Sequence, residues 1–595
     1  MKKITIKFVI TFLVLSLVMV CFGYSSFAQD QYLTLFEKTG GEESDTYHDI
    51  ISYCKTLADD FPQVQMKEMG LTDSGYPLHL LIYDSGMTFE PDSWRADGKT
   101  IMLINNCIHP CESSGMDAVL LYLRDTLLGK AEIPDDIILA IIPVYNIGGF
   151  LNRVRSYLGK AGPLEYGTRY NARNYDLNRD FMKADTLNGQ SIQEIFNWLK
   201  PHIFIDTHED AFQGYQTVVG SIISSSGNKL GGQVGEYLFE EMYPAILEKM
   251  EEKGVHPGKP SHSDSPRMGN GFATLFNTIG FMPEWNRLKP YTERVSGYYA
   301  LFETFMEILE KDGGRIVRMV EEDRESMKTK DSFGINYTVT DEEKYKLYTF
   351  LGYEEFEEEK ISPVTGQPIG EICPVLRTEK PYYNLDKPII EEMKWYYHKD
   401  PQMYIERPQA YVIPQEWLNV VHHLERNGVV VEKIEEDTTL EVSVYHIGEF
   451  KRGPYGAFVA HQLLSDVELE KSTEQVTFKK GDYLVPMNQE SNRFIVETLE
   501  PQASDSLFAW NWFDKILSGP WFDTIQPRGL DSQQFEATAA EYLKENPDLK
   551  EELEALKKED EDFAQDKFAQ LYWVYERSPW YCETANRYQV YRVER

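Results

Sequence analysis

The sequence predicts an α/β fold in its first half, followed by a mixed, β-rich C-terminal domain. From about residue 45 to residue 325, short β-branched runs alternate with amphipathic stretches, which is typical of a sheet flanked by helices. The candidate strands are 101–105, 137–143, 203–206 and 278–282, and helical spacing covers 116–127 and 191–199. Each strand runs directly into a polar cluster, and ligands bind at this end of the strands in open α/β sheets.

The length and composition describe a folded chain of more than one domain. At 595 residues the protein exceeds the usual size of one domain, and its 42% hydrophobic content excludes a largely disordered chain. The net charge is −36, and the sequence contains no basic patch. Because such a surface repels phosphate backbones, we expect no nucleic-acid partner.

The first 28 residues have the pattern of a secretory signal peptide. Three lysines lie near the start, an apolar run covers 8–22, and Ser26-Phe27-Ala28 forms a small-x-small cleavage site. The run is short for a spanning helix, and no later segment has a spanning length of uninterrupted apolar residues. We therefore expect an exported protein, periplasmic or secreted, with no integral membrane segment after cleavage.

The second half is predicted to be a separate accessory domain. The polar, charge-rich stretch 321–343 has the composition of a solvated linker between a domain of residues 29–325 and a C-terminal domain of residues 345–595. Candidate strands at 411–414, 429–434 and 483–486 are separated by proline and glycine. The charged tail, 532–568, is predicted to be helical, and Asn546-Pro547 has the pattern of a helix start.

His109 and Glu112 are candidate metal ligands directly after a predicted buried strand. With this spacing both side chains can point at one metal from the first turn of a helix, and nitrogen and carboxylate ligands suit Zn²⁺. A His-x-x-Glu pair alone is common, and such a pair more often lies in a surface loop than at a metal site. A third candidate, His208, follows the apolar strand 203–206, where Asp206 is placed to orient an imidazole.

Two cysteines, Cys107 and Cys111, bracket His109. A thiolate at either position would compete for zinc, whereas a protonated thiol packs as a small apolar side chain. We expect both cysteines to pack against the sheet.

Arginines and one further carboxylate complete a candidate active site. Arg169 and the motif Asp-Leu-Asn-Arg at 176–179 lie between the ligand motifs, and arginine suits bidentate recognition of a carboxylate. Glu284 follows the apolar strand 278–282, where a general base for a metal-activated water would lie. Each element is weak alone, but the four together, in this order and mostly at strand exits, predict one site.

Taken together, these motifs resemble the M14 family of zinc carboxypeptidases over roughly residues 45–310. The matching features are Tyr47, the turn Gly70-x-x-x-x-Gly75, the His-x-x-Glu pair, Pro143-x-x-Asn146, the Asp-Leu-Asn-Arg motif, the third histidine, and the glutamate ahead of Lys289-Pro290-Tyr291-x-x-Arg294-Val295. The second half is similar to the C-terminal extension of an exported bacterial branch of the family, notably at Gly481-Asp482-Tyr483 and Leu499-Glu500-Pro501.

The resemblance implies a zinc-carboxypeptidase-like mixed sheet flanked by helices and one Zn²⁺ per chain, and it implies a role for each of seven residues. The implied zinc ligands are His109, Glu112 and His208. Glu284 is implied to be the general base, and Arg169 to polarise the scissile carbonyl and stabilise the oxyanion. Asn178 and Arg179 are implied to grip the terminal carboxylate of the substrate.

The implied function is a zinc metallocarboxypeptidase that acts on a peptide or peptide-like substrate. It would hydrolyse an amide bond near a free carboxylate, with water activated by zinc and Glu284. The sequence departs from the family in three places, one of which is that Asp180 follows Asn178-Arg179 where many relatives carry asparagine. No tyrosine lies between Tyr243 and Tyr291, where the family's substrate-covering tyrosine is expected, and Asn286 and Arg287 follow the base where close relatives often carry histidine and an apolar residue.

Two other functions are compatible with the same residues. One is a zinc amidohydrolase acting on N-acyl amino acids or peptidoglycan peptides, since similar zinc sites serve both. The other is a non-catalytic protein that binds peptide or glycan on the same fold. The complete set of ligands and base argues against the second, because a binding protein has no need of Glu284.

Overall fold

The computed structural model describes residues 31–155, 161–212, 214–355, 372–373, 378–379, 383–456, 460–517, 532–579 and 586–595. The predicted signal peptide, residues 1–28, lies outside the described residues. Within the described ranges, no helix combines the length and apolar character that crossing a membrane requires. The predicted fold class is confirmed: a central mixed sheet is flanked by helices, and further β-sheets follow in the second half.

The strands of the first half all precede the longest helix. They are β1 (Val64–Leu71), β2 (Pro77–Tyr83), β3 (Thr100–Asn105), β4 (Ile137–Ile142), β5 (Val154–Arg155), β6 (Glu165–Tyr166), β7 (Ile203–Asp206), β8 (His208–Asp210), β9 (Val219–Ser225), β10 (Lys259–Ser263) and β11 (Ile279–Asn286). The strands of the second half are β12 (Ser332–Thr338), β13 (Lys346–Glu355), β14 (Ile372–Cys373), β15 (Thr378–Glu379), β16 (Tyr383–Trp395), β17 (Asp400–Glu406), β18 (Ala410–Ile413), β19 (Glu432–Lys433), β20 (Thr438–Ile447), β21 (Lys451–Arg452), β22 (Leu464–Ser465), β23 (Leu469–Phe478), β24 (Tyr483–Pro486) and β25 (Tyr591–Val593).

The helices are distributed over both halves. In the first half they are α1 (Leu35–Lys38), α2 (Tyr47–Asp60), α3 (Pro91–Ala96), α4 (Ser114–Leu127), α5 (Ile147–Leu151), α6 (Leu187–Leu199), α7 (Gly227–Leu230), α8 (Gly232–Tyr237), α9 (Tyr243–Glu252), α10 (Gly269–Thr274) and α11 (Tyr291–Ser326), with a 3₁₀ turn at Leu177–Arg179 and a π segment at Leu238–Met242. In the second half they are α12 (Leu418–Arg426), α13 (Asn492–Leu499), α14 (Asp514–Leu517), α15 (Ser532–Glu545), α16 (Pro547–Glu559), α17 (Glu561–Gln565) and α18 (Lys567–Glu576), with a 3₁₀ turn at Gln415–Trp417.

The central sheet has the strand order β1-β2-β4-β3-β7-β11-β9-β10, with β8 paired to β11. Strands β4, β3, β7 and β11 are parallel neighbours, whereas β1, β2 and β9 pair antiparallel with strands beside them. The carboxyl ends of β3, β7 and β11 therefore meet at one edge of the sheet. This edge is where a ligand is expected in an open α/β sheet.

Alternate residues of the central strands enter two different cores. Met102 and Ile104 on β3 face a cluster formed with α2, α4 and α11, while Ile101 and Leu103 face a second cluster formed with α6 and α10. Because both faces are buried, these strands read in the sequence as continuous apolar runs.

The second half packs directly against the first. Its main sheet is antiparallel, with the strand order β19-β24-β18-β25-β20-β23. Phe494 on α13 stacks on Phe276 with 5.1 Å between ring centroids. The buried Arg493 donates hydrogen bonds to the carbonyl oxygens of Thr274 and Leu230, at 3.1 and 2.9 Å. In the tail, α16 begins at Pro547 as predicted.

The prediction of a solvated linker over 321–343 is wrong. The long helix α11 continues through Ser326, and β12 pairs with β17 in the second half. Arg324, Met327, Phe333 and Ile335 in this stretch are all buried. The charged residues that suggested a linker include Asp323 and Arg324, which are buried near the end of α11, so the segment is packed against the rest of the protein.

Candidate active site

His109 and Glu112 lie in the turn that joins β3 to α4. The Glu112 amide donates a hydrogen bond to the His109 carbonyl at 2.9 Å, and the helix begins only at Ser114, so the pair precedes the first helical turn in which it was expected. His208 begins β8, directly beyond β7. The three side chains are no more than 2% exposed, and one ligand atom from each lies within 4.8 Å of the others.

Two aspartates fix the orientation of both imidazoles. Nε2 of His109 lies 3.0 Å from Asp176, and Nε2 of His208 lies 3.0 Å from Asp206. Nδ1 of each ring faces Oε2 of Glu112, at 3.1 and 3.2 Å. Because the outer nitrogen of each ring donates its hydrogen to an aspartate, the inner nitrogens and the Glu112 carboxylate converge on one point. The geometry agrees with the role expected of Asp206, whereas the partnership of Asp176 with His109 was not anticipated.

The cluster is arranged to hold positive charge. Burial lowers the pKa of both imidazoles, but the neighbouring carboxylates outweigh burial and raise it, for His208 well above its usual value. Burial raises the pKa of Glu112, yet His109 and His208 hold it well below its usual range. A divalent cation at the convergent atoms supplies the same positive charge. Two nitrogens and one carboxylate oxygen are the ligand set of a catalytic zinc site, so the residues present fit zinc.

Cys107 and Cys111 are not part of the convergent group. Burial raises the pKa of Cys111 to about 12 and raises the pKa of Cys107 well above its usual value. Both side chains are buried, and the potential metal group among the described residues consists of His109, Glu112 and His208. Protonated thiols are poor metal ligands, so the structure agrees with a packing role.

Arg169 lies beside the ligand cluster. Its guanidinium donates two hydrogen bonds to Asp176, at 3.1 and 3.0 Å, and its Nη1 lies 3.5 Å from Glu112. Burial lowers the pKa of Arg169, but these two carboxylates raise it above its usual value. Because the side chain remains 39% exposed, part of its fork is open to a ligand.

Glu284 lies within β11 and not beyond it, because the strand continues to Asn286. The strand register places Glu284 opposite His208 on β8 and Ser221 on β9. Its Oε2 atom is buried and has no hydrogen-bond partner among the residues that the structure describes. Burial raises the pKa of Glu284 to about 8, with His208 opposing and Glu112 reinforcing the shift. A carboxylate whose pKa lies near neutrality has the property that a general base needs.

Asn178 and Arg179, which we call the carboxylate clamp, occupy a 3₁₀ turn beside β11. Asn178 is 4% exposed, and its Nδ2 donates to the sulfur of Met282 at 3.7 Å. Its Oδ1 has no hydrogen-bond partner in the described part of the chain. Arg179 donates to the carbonyl of Asn178 at 2.7 Å, and burial lowers its pKa. Within the described ranges, no carboxylate forms an ion pair with Arg179. A desolvated guanidinium of this kind suits an anionic group of a ligand.

The first turns of α11 hold the strands of the site together. The hydroxyl of Tyr298 accepts a hydrogen bond from the His208 amide at 2.9 Å, and it lies 2.8 Å from the carbonyl oxygen of Pro283. It therefore bridges the strand that carries a candidate ligand and the strand that carries the candidate base. One turn earlier, the buried Arg294 forms an ion pair with Glu209, the neighbour of His208.

Residues of the second half reach the back of the carboxylate clamp. Asp505 is 1% exposed and accepts hydrogen bonds from Arg267 at 2.7 Å and from Ser265 at 3.0 Å. The guanidinium of Arg267 also lies over the ring of Trp510, 5.1 Å from its centroid. The positive charge of Arg267 lowers the pKa of Arg179, whereas the negative charge of Asp505 raises it. These contacts were not anticipated from the sequence.

Comparison of the sequence with family profiles and with curated proteins gives no match. Solved structures give matches among carboxypeptidases. Carboxypeptidase A from Helicoverpa armigera is 15% identical with a TM-score of 0.35, over 46% of this chain and 73% of its own. A metallo-carboxypeptidase from Pseudomonas aeruginosa, in complex with (2-guanidinoethylmercapto)succinic acid, is 13% identical with a TM-score of 0.33, over 44% of this chain and 68% of its own. Bovine thrombin-activatable fibrinolysis inhibitor, in complex with tick carboxypeptidase inhibitor, is 15% identical with a TM-score of 0.33, over 47% of this chain and 99% of its own. Similarity at this level supports no functional inference, so function is inferred from the site alone.

Proposed function

We propose that the protein is a zinc-dependent metallocarboxypeptidase of the M14 type, which hydrolyses an amide bond near a free carboxylate of its substrate. The observation that carries the proposal is the convergence of His109, Glu112 and His208 on one point, with the unpartnered carboxylate of Glu284 directly opposite His208. A protein that only binds ligands has no need of a buried carboxylate in this position. The proposed activity follows from what each side chain can do there.

His109, Glu112 and His208 would hold the metal. When bound, zinc acts as a Lewis acid that polarises a carbonyl group and lowers the pKa of water. Glu284 accepts a proton from the attacking water and then donates it to the leaving amine. Burial raises the pKa of Glu284, which makes it a stronger base than an exposed glutamate.

The arginines and Asn178 act on the substrate. Arg169, with its partly open fork, donates hydrogen bonds to the carbonyl oxygen as negative charge develops there, an effect typically worth about 3 kcal/mol for one such donor. Arg179 and Asn178 bind the terminal carboxylate through charge-assisted hydrogen bonds. The carboxylate clamp therefore selects substrates that end in a free acid.

Zinc analysis and a matched peptide panel test this proposal. The purified full-length protein is expected to contain one zinc per chain and to cleave peptides with a free C-terminus far faster than the same peptides with an amidated C-terminus. A protein that lacks metal and cleaves none of the peptides would contradict the proposal and favour a binding function. Equal cleavage of free and amidated peptides would contradict the role of the clamp.

A second candidate function shares the same clamp. N-acyl amino acids also present an amide beside a free carboxylate, as do peptides from peptidoglycan, so Arg179 and Asn178 suit them equally. Measuring kcat/KM for N-acyl amino acids, peptidoglycan-derived peptides and ordinary peptides distinguishes the two functions. We favour peptides, and a higher kcat/KM for N-acyl amino acids would reverse that preference.

We also propose that residues 1–28 direct export to the periplasm or the medium, that residues 29–325 form the peptidase domain, and that residues 345–595 form an accessory domain. The N-terminal pattern of lysines, an apolar run and a small-x-small site supports export. Cell fractionation of the full-length chain and of a variant without residues 1–28 tests it. Retention of both forms in the cytoplasm would contradict the proposal.

A further inference from the structure

A cleft of about 320 Å³ begins at Asn286, two residues beyond the candidate base, and is lined by both halves of the chain. Four aromatic side chains line it, namely Phe212, Tyr215, Tyr353 and Tyr383, together with Asn286 and Lys289. The first two rings follow His208 in the chain, whereas the other two belong to β13 and β16 of the second half. The cleft is thus absent from the first half taken alone.

The cleft is fixed to the strand that carries the base. Asn286 lies two residues after Glu284 and donates from Nδ2 to the carbonyl oxygens of Phe212 and Thr217, at 3.0 and 3.3 Å. The Asn286 amide also donates to the carbonyl oxygen of Val218 at 2.7 Å. Because the ring-bearing segment is bound to β11 in this way, its position relative to Glu284 is set by the sheet.

The opposite wall is held to the same segment by hydrogen bonds. The side chain of Gln216 donates to the carbonyl oxygen of Gly352 at 2.6 Å, and the amide of Tyr353 donates to the carbonyl oxygen of Gly214 at 3.1 Å. The ring of Tyr383 lies against Gly214, where a Cβ atom would come within 2.5 Å of it. Gly214 therefore permits the close approach of the second half.

The carboxylate clamp and the cleft lie on opposite sides of Glu284 along β11. Asn178 of the clamp contacts Met282, two residues before the base, whereas the cleft begins at Asn286, two residues after it. Since a strand rises about 3.3 Å per residue, the cleft begins roughly two residue lengths from the base. A substrate whose terminal carboxylate occupies the clamp therefore extends its acyl side towards the cleft.

Lys289 brings a positive charge to the lining of the cleft, and Glu293 is the carboxylate whose charge acts on it. No carboxylate among the described residues forms an ion pair with Lys289, and burial lowers the pKa of this lysine. Arg287, two residues earlier in the chain, lies instead at the edge of the candidate metal ligands, with Nη1 3.3 Å from the sulfur of Cys111. In a chain whose net charge is −36, the ammonium of Lys289 is a local positive charge that favours a negatively charged ligand.

We propose that the cleft is a subsite for the acyl side of a peptide substrate and selects an acidic residue about two positions before the scissile bond. This inference rests on the proposed peptidase function. The aromatic rings cover the backbone and aliphatic parts of the peptide, and the Lys289 ammonium pairs with its carboxylate. The second half thereby contributes directly to substrate choice.

Paired substrates test the subsite. Two N-blocked peptides with free C-termini differ only in carrying Glu or Gln at the second position before the scissile bond, and an N-blocked dipeptide lacks that position. We expect kcat/KM of the wild-type protein to favour Glu over Gln by roughly three- to fivefold, the size of one partly exposed ion pair. The ratio should fall to about one in Lys289→Gln, because the ammonium is lost, and should persist in the control Lys130→Gln, whose lysine is exposed on another surface.

The contribution of the aromatic side chains is measured separately, by comparing longer peptides with the dipeptide. Tyr383→Ala is expected to reduce by about fivefold or more the advantage of the longer peptides over the dipeptide, because a buried aromatic contact is lost. Failure to cleave any peptide, the dipeptide included, would overturn the proposed function itself. Cleavage of the dipeptide with equal rates for the Glu and Gln peptides, or a preference that survives Lys289→Gln, would overturn only the subsite. A preference for sugar-bearing peptides irrespective of charge would also overturn it and indicate a glycan in the cleft.

Discussion

Nε2 of His109 lies 3.0 Å from Oδ1 of Asp176, so one buried carboxylate sets which nitrogen of His109 faces the centre of the site. The same carboxylate receives two hydrogen bonds from Arg169. Burial alone would raise the pKa of Asp176, but the hydrogen bond and charge of His109 and the charge of Arg169 hold it well below its usual range. Asp176 therefore positions a candidate metal ligand and a candidate oxyanion-stabilising residue together.

Asp176→Asn should weaken zinc binding while the fold survives. The amide keeps the shape of the side chain but removes the charge that orients His109, and loss of such a partner typically costs ten- to a hundredfold, on the order of 1–3 kcal/mol, in metal affinity. Competition with a chelator of known affinity measures the change. Asp97→Asn, at an exposed aspartate, is the matched control and should bind zinc as the wild type does. An unchanged zinc affinity in Asp176→Asn would show that the aspartate does not position the ligand.

Arg179→Lys should weaken the binding of free-acid substrates. Lysine keeps the charge but loses the planar fork, and a hydrogen bond to a charged group is worth about 1.5–3 kcal/mol, so KM should rise about tenfold or more. Residual cleavage of amidated substrates should change little. Steady-state kinetics on matched free and amidated peptides measures both effects, and equal losses on the two would show that Arg179 does not bind the C-terminus.

The stability of the metal-free protein should fall as pH rises from about 4.5 to about 8. The pKa of Glu284 is raised from 4.5 to about 8 by burial. In this window the folded protein retains a proton that the unfolded chain has released, so the free energy of unfolding decreases with pH and levels off above the folded pKa. Glu284→Gln has no titrating group at this position and should lack this part of the decrease. Thermal unfolding of both chelator-treated proteins across the window measures it, and identical pH dependence in the two would contradict the raised pKa.

Asp505→Asn should shift the preference for the last residue of the substrate. Asp505 neutralises Arg267 behind the clamp, so its loss leaves a second cation near Arg179. We expect kcat/KM for a peptide ending in Glu to rise about threefold or more relative to one ending in Leu. Asp466→Asn, at an aspartate that is 63% exposed in the same half, is the control. A ratio equal to that of the wild type would show that the second half does not influence the clamp.

The elements that the sequence predicts well are those with a local signal. Strands such as Ile203–Asp206 are buried on both faces and appear as continuous apolar runs, and the structure brings the predicted ligands His109, Glu112 and His208 together because they follow neighbouring strands. Glu284 is brought to the same place, although it lies inside the strand and not at its exit.

The relationships that the sequence does not reveal join distant parts of the chain. The hydrogen bond between Tyr298 and His208 spans 90 residues, and the one between Arg267 and Asp505 spans 238. No periodicity or spacing marks such pairs. The supposed linker was misassigned for a different reason: its composition is charged, but two of its charged residues, Asp323 and Arg324, are buried with Met319 and Val320 on the inner face of α11.

The role of Glu284 as general base is tested most directly by measuring kcat and zinc content on the same preparation of Glu284→Gln. Glutamine keeps the shape of the side chain but cannot accept a proton, and the metal is held by other residues. We expect zinc content equal to that of the wild type, with kcat lowered by roughly 10²–10⁴, the usual contribution of a general base. Full zinc occupancy with kcat within about threefold of the wild type, the range of a neutral surface substitution, would contradict it, because the base would then lie elsewhere.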